Sequence, residues 1–136
     1  VGGVRGSRDE GGRERLCAGS GGRGRFIDVG EIDWQQGAIA GGIVHHIAFR
    51  AAADAARAEM VKTLRDMRIG TTEQKDRNYV RSVYFREPGG VLFEIATDEP
   101  GFTIDEPVEG LGQELRLPQW LEPRRDEIAA QLPPLE

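Results

Sequence analysis

The sequence holds one cysteine, Cys17, and two histidines, His45 and His46. A lone cysteine excludes an internal disulfide framework and any cysteine-rich zinc site. No apolar run approaches the roughly 18 residues of a membrane span, and the first residues lack the apolar centre of a signal peptide. Excess positive charge is missing too. A formal net charge of −5 excludes the basic face expected of a nucleic-acid binder. These absences leave a cytoplasmic protein as the expectation, with neither nucleic acid nor membrane as a partner. Val1 in place of methionine suggests a fragment of a longer chain.

What is present fits one domain or less: 136 residues, 38% hydrophobic and 30% charged. Residues 1–24 contain 9 of the 19 glycines, several arginines and few apolar side chains. Such a stretch buries too little surface to offset chain entropy and reads as disordered. Residues 25–42 read as a short strand, on Phe26, Ile27, Val29 and Ile32, followed by a linker. Residues 43–97 carry the sharp patterns. IVHHIAFR has the β-branched content of a strand. ADAARAEMVKTLRDMR, residues 53–68, places Ala56, Met60, Leu64 and Met67 at helical spacing, with Gly70 as C-cap. TTEQKDRNYVR is polar and reads as an irregular strand or a lid. SVYFRE and VLFEIAT are strands joined by a turn at Pro88-Gly89-Gly90. The order is β-α-β-β-β. Residues 98–136 hold most of the seven prolines and read as an extended segment, PGFTIDEP, then a short helix over 123–132 with Pro123 near its start.

Side chains alternate across a strand. On the first strand His45 shares a face with Ile43, Ile47 and Phe49, while His46 shares the other with Val44, Ala48 and Arg50. Val83 and Phe85 oppose Ser82, Tyr84 and Arg86. Val91, Phe93 and Ile95 oppose Leu92, Glu94 and Ala96. The apolar faces can cover the helix, with His45 beside it. The mixed faces collect His46, Tyr84 and Glu94. Neutral imidazole and a carboxylate on one concave face make half of a site for Fe(II), Mn(II), Zn(II) or Ni(II). The same pattern also describes a hydrogen-bonded pair with no metal.

At these residues the sequence resembles the vicinal oxygen chelate superfamily, which includes glyoxalase I, extradiol ring-cleaving dioxygenases and fosfomycin-resistance enzymes. GGIVHHIAFR resembles the first strand of a metal-bearing module of the hydroquinone-cleaving branch. DRNYVRSVYFREPGGVLFEIATDEPGF resembles the hairpin of that module, and LPQWLEPRRDEIAAQLPPLE its C-terminal tail. The resemblance implies an α+β fold: a βαβββ module forming half of a metal-holding cup, with a C-terminal extended segment and short helix. It implies His46 and Glu94 as metal ligands, Tyr84 as a tyrosine bonded to a substrate oxygen, and Arg77 as a basic residue near the substrate. It implies Fe(II), with Mn(II) or another divalent metal as the alternative, acting with dioxygen on a hydroquinone- or catechol-like ring.

Bland readings stand beside these. Tyr84 can be a buried tyrosine with a bonded hydroxyl. Arg77 can be a surface charge paired to Asp76 or Glu73. Arg86 and Glu87 read as a turn-adjacent ion pair, and Trp34 and Trp120 as packing anchors. A facial triad also needs a second histidine, and adjacent strand positions cannot both face one metal. The missing ligand must come from an upstream module or a second copy in a homo-oligomer. The alternatives to a ring-cleaving dioxygenase are a glyoxalase-like isomerase or lyase formed by homodimerisation and a non-catalytic truncated module.

Overall fold

Glycine, which makes residues 1–24 read as disordered, punctuates hairpins instead. The computed structural model describes residues 4–9, 11–19, 22–30 and 38–133. Val4–Asp9 (β1), Arg13–Ala18 (β2) and Phe26–Gly30 (β3) form an antiparallel sheet in that order. Gly11 and Gly12, between β1 and β2, take φ of 67° and 79°, a region closed to most side chains. Leu16 pairs with Ile27 and Cys17 with Phe26. Arg15 donates two 2.7 Å hydrogen bonds to the Asp28 carboxylate and holds it below its ordinary pKa. The expectation of disorder over 1–24 is thus corrected by paired strands. Composition alone missed them because the glycines cluster between the strands. Ile32 and Trp34 lie outside the described residues.

The second sheet has the expected β-α-β-β-β order: β4 (Ile47–Ala51), α1 (Asp54–Asp66), β5 (Lys75–Asp76), β6 (Val80–Arg86) and β7 (Leu92–Pro100). The spatial order is β4-β7-β6-β5, with β4 parallel to β7 and the other pairs antiparallel. Glu87 fixes the turn between β6 and β7. Its carboxylate accepts from the Gly89 and Val91 amides, both at 2.7 Å, and Gly90 supplies a φ of 90°. Arg86 instead donates to the Gly90 carbonyl, so the expected Arg86–Glu87 ion pair gives way to two separate turn contacts.

Helix α1 covers the face of this sheet that carries odd-numbered residues. Ala51, Val61, Leu64, Val83 and Ile95 are buried together, and Ala56, Met60, Ile69 and Phe85 pack around them. Phe93 stacks between Phe49 and Phe85, with centroids 5.2 and 5.5 Å away. The helix ends earlier than its apolar spacing suggests. Arg68 takes φ 61° and the Ile69 amide reaches back to the Leu64 carbonyl at 2.9 Å. The reversal therefore falls at Arg68 rather than at Gly70, and Met67 is left 64% exposed.

The tail folds back in short turns. β7 continues to Pro100, and Phe102–Ile104 forms a 3-10 turn where PGFTIDEP reads as extended. The Tyr79 hydroxyl donates to Asp105 at 3.0 Å and its ring lies 4.8 Å from that of Phe102. Desolvation first, and the bond to Asp105 second, raise the Tyr79 pKa. A 3-10 turn at Glu122–Arg124 leads into α2 (Arg125–Gln131), close to the expected helix. Trp120, expected as a packing anchor, is 68% exposed.

Arg50 and Asp98 clamp β4 to β7 beyond the Arg50–Ala96 pair, with Nη2–Oδ2 at 2.7 Å. The hydrogen bond from Arg50 lowers the Asp98 pKa. A depressed carboxylate stabilises the fold above its unfolded pKa and loses that contribution as pH falls through the folded value. Asp98→Asn should therefore lose stability relative to the wild type at neutral pH. The two should converge in acid, as read by urea denaturation across a pH series.

Candidate metal centre

The other face of the second sheet holds the even-numbered residues. In the register, Ala48 and Tyr84 lie directly either side of Glu94. Ala48 is the small residue beside Glu94 on that side. His46 stands one residue before β4. Its Nε2 comes within 2.9 Å of Glu94 Oε2. Glu94 is 6% exposed, one of very few buried polar groups among the described residues. The His46 and Tyr84 rings meet edge to face, 5.7 Å apart. The Arg77 guanidinium lies 5.6 Å from the centre of the Tyr84 ring, and Asp76 accepts from the Asn78 amide. All four residues singled out in the sequence, His46, Glu94, Tyr84 and Arg77, are brought together.

His45 departs from its expected place. The strand begins at Ile47, so alternation does not carry back to residue 45, and His45 is exposed rather than packed beside the helix. Its Nδ1 sits 3.0 Å from His46 Nδ1. Both nitrogens of His46 are thus engaged. If Nε2 gave its lone pair to a cation, the proton would reside on Nδ1, facing His45 as acceptor. This is the outer contact that orients metal-bound imidazoles.

Beside Tyr84 lies a cleft of about 440 Å³, lined by Gly70, Thr71, Thr72, Tyr84, Phe85, Arg86 and Leu92. Thr72 ties the segment to β6: its hydroxyl accepts from the Tyr84 amide at 3.1 Å and its amide donates to the Tyr84 carbonyl at 2.9 Å. Neither Thr71 nor Thr72 stood out in the sequence. Only the even-numbered parity of Arg86 and Leu92 hinted at their place. Among the described residues no group of three or more His, Cys, Asp or Glu side chains could hold a metal ion. His46 and Glu94 therefore make a partial donor set. No described helix is long and apolar enough to cross a membrane.

A βαβββ sheet with an imidazole and a buried carboxylate on the face opposite its helix defines a module of the vicinal oxygen chelate type. Within that class the chain is similar to proteins named ring-cleaving dioxygenases. It is 46% identical over 112 residues to the "Putative ring-cleaving dioxygenase MhqE" of Bacillus subtilis (strain 168), covering 82% of this chain and 37% of that protein. It is 38% identical over 125 residues to the "Chlorohydroquinone/hydroquinone 1,2-dioxygenase" of Sphingobium indicum, covering 88% of this chain and 38% of that protein. The crystal structure of a "putative dioxygenase" from Bacillus subtilis subsp. subtilis str. 168 superposes with a TM-score of 0.88 at 40% identity, over 98% of this chain and 43% of that one. The chain thus spans well under half the length of these relatives. No family model matches it.

Proposed function

We propose that this chain supplies two protein donors, His46 and Glu94, to a divalent metal in an enzyme that opens hydroquinone- or catechol-like rings with dioxygen. Fe(II) is the metal proposed first, with Mn(II) next. The observation that carries the reading is the buried Glu94 carboxylate, 2.9 Å from His46 Nε2 and opposite Tyr84 in register. Nitrogen with carboxylate oxygen is a donor set suited to Fe(II). The missing donor comes from an upstream module or from a second copy of the chain. When bound, the metal supplies Lewis acidity at a substrate oxygen and redox access to dioxygen.

The remaining steps belong to the chain's own residues. The Tyr84 hydroxyl, with no partner among the described residues, donates a hydrogen bond to charge developing on a ring oxygen. Arg77 lies against Tyr84 and adds positive potential, which favours an ionised phenol oxygen. The Tyr84 ring and Leu92 restrict water around the bound ring.

The full chain, loaded anaerobically with Fe(II), should consume oxygen when hydroquinone is added. Tight iron binding with no oxygen uptake for hydroquinone or catechol would remove the dioxygenase reading. Tyr84→Phe should keep iron stoichiometry and lower the uptake rate ~100-fold, the usual cost of one donor to a developing oxyanion. An unchanged rate would reassign Tyr84 to packing.

A further inference from the structure

Resting on that reading, we infer that Arg86 is a specificity-determining residue: it recognises an oxygen para to the ring oxygen held at His46 and Glu94. Tyr84 and Arg86 lie on one face of β6, two residues and ~7 Å apart along the strand. Glu94 lies opposite Tyr84, and Leu92 opposite Arg86. From Glu94 the face therefore passes in one step to Arg86 and Leu92. That step matches a benzene ring with one oxygen at each end.

The cleft lies over this step. Tyr84 belongs to both the His46–Glu94 cluster and the cleft lining, so the two adjoin at that residue. Leu92 offers an apolar floor, and the Gly70–Thr72 stretch presents backbone with little side-chain bulk. Arg86 is the charged group among the lining residues. Its Nη1 donates to the Gly90 carbonyl at 2.6 Å. That bond anchors the guanidinium to the Glu87-capped turn. Its remaining N–H groups have no partner among the described residues. A planar fork of donors fits a phenolate, a hydroxyl or a carboxylate, and discriminates against a hydrogen at that position. The ligand class is a para-substituted phenol whose second substituent carries oxygen, charged oxygen above all.

Binding can be tested apart from turnover. The full ¹⁵N-labelled chain, with no metal added, would be titrated with 4-hydroxybenzoate, hydroquinone and phenol while amide shifts are recorded. Expected are shifts at Gly70, Thr71, Thr72, Arg86 and Leu92, with 4-hydroxybenzoate binding ~10-fold or more tightly than phenol. Arg86→Gln should bring that ratio close to one, and Arg86→Lys should restore part of it. Shifts confined to other residues, no shift with any of the three, or an unchanged ratio in Arg86→Gln would overturn the inference. Fe(II) stoichiometry on the same variant separates the two readings. Iron retained with the ratio unchanged defeats only the role of Arg86. An Arg86-dependent ratio in a wild type that binds no iron defeats the metal reading and leaves the phenol site.

Discussion

His46→Ala is expected to abolish tight Fe(II) binding by the full chain, with at least a ~100-fold fall in affinity. Loss of an outer contact to a metal ligand already costs about 10–100-fold, and here a donor atom itself is removed from a set of two. The variant has a second expected effect, independent of metal. Glu94 is 6% exposed and His46 is its partner at 2.9 Å. Deleting the imidazole leaves a buried carboxylate without that bond, at a cost of ~1–3 kcal/mol in the metal-free protein. Anaerobic Fe(II) titration with metal counted per chain checks the first effect, and urea denaturation of the metal-free chain checks the second. Unchanged iron stoichiometry in a folded His46→Ala protein would sink the metal site. His46→Gln guards against misfolding, because its amide can still bond Glu94 while offering the metal a poor donor.

The placement of that pair shows which sequence signals carry physical weight. β6 and β7 read correctly because both faces of a hairpin are constrained at once. Val83, Phe85 and Ile95 must meet the helix, so Tyr84 and Glu94 must point away, and a slip of one residue would bury the wrong set. Alternation misplaced His45, because it holds only inside the strand and β4 starts at Ile47; His46, also just outside the strand, meets Glu94 through its own contact at 2.9 Å. The helix was legible as a stripe, but its end was not. Met67 sits in phase with Leu64, yet the chain reverses at Arg68, a residue type with no special preference for positive φ. The failure over 1–24 is of another kind. Composition averages over position, and it counts the same glycine whether it weakens a strand or makes the turn between two. Alternation put Arg86 on the face of Tyr84, but Thr71 and Thr72 acquire their place only through their contacts with β6, which no local pattern encodes.

Ile95→Ala is expected to destabilise the protein by ~2–5 kcal/mol, the range for truncating a large aliphatic side chain in a packed core. Ile95 is 0% exposed on β7, flanked in register by Phe49 on β4 and Val83 on β6, and it packs in the cluster with Val61 and Leu64 of α1. Among the described residues the buried apolar set is five side chains, so one vacancy removes a large share of it, and domains commonly have about 5–15 kcal/mol in all. Val91→Ala is the control. Val91 has the same parity as Ile95 but is 49% exposed, and it should change stability by ~0.5 kcal/mol or less. Urea midpoints with unchanged slopes would report both differences. The neighbouring Glu94 makes the comparison informative about the site. A ligand that binds only the folded state raises stability by RT ln(1 + [L]/Kd). Added Fe(II) should therefore shift the midpoint of Ile95→Ala upward while leaving that of His46→Ala in place. A vacancy behind the sheet weakens the scaffold and keeps the donors, whereas loss of the imidazole keeps the scaffold and removes a donor. If iron rescued neither variant, or both equally, its binding would not depend on the His46–Glu94 pair.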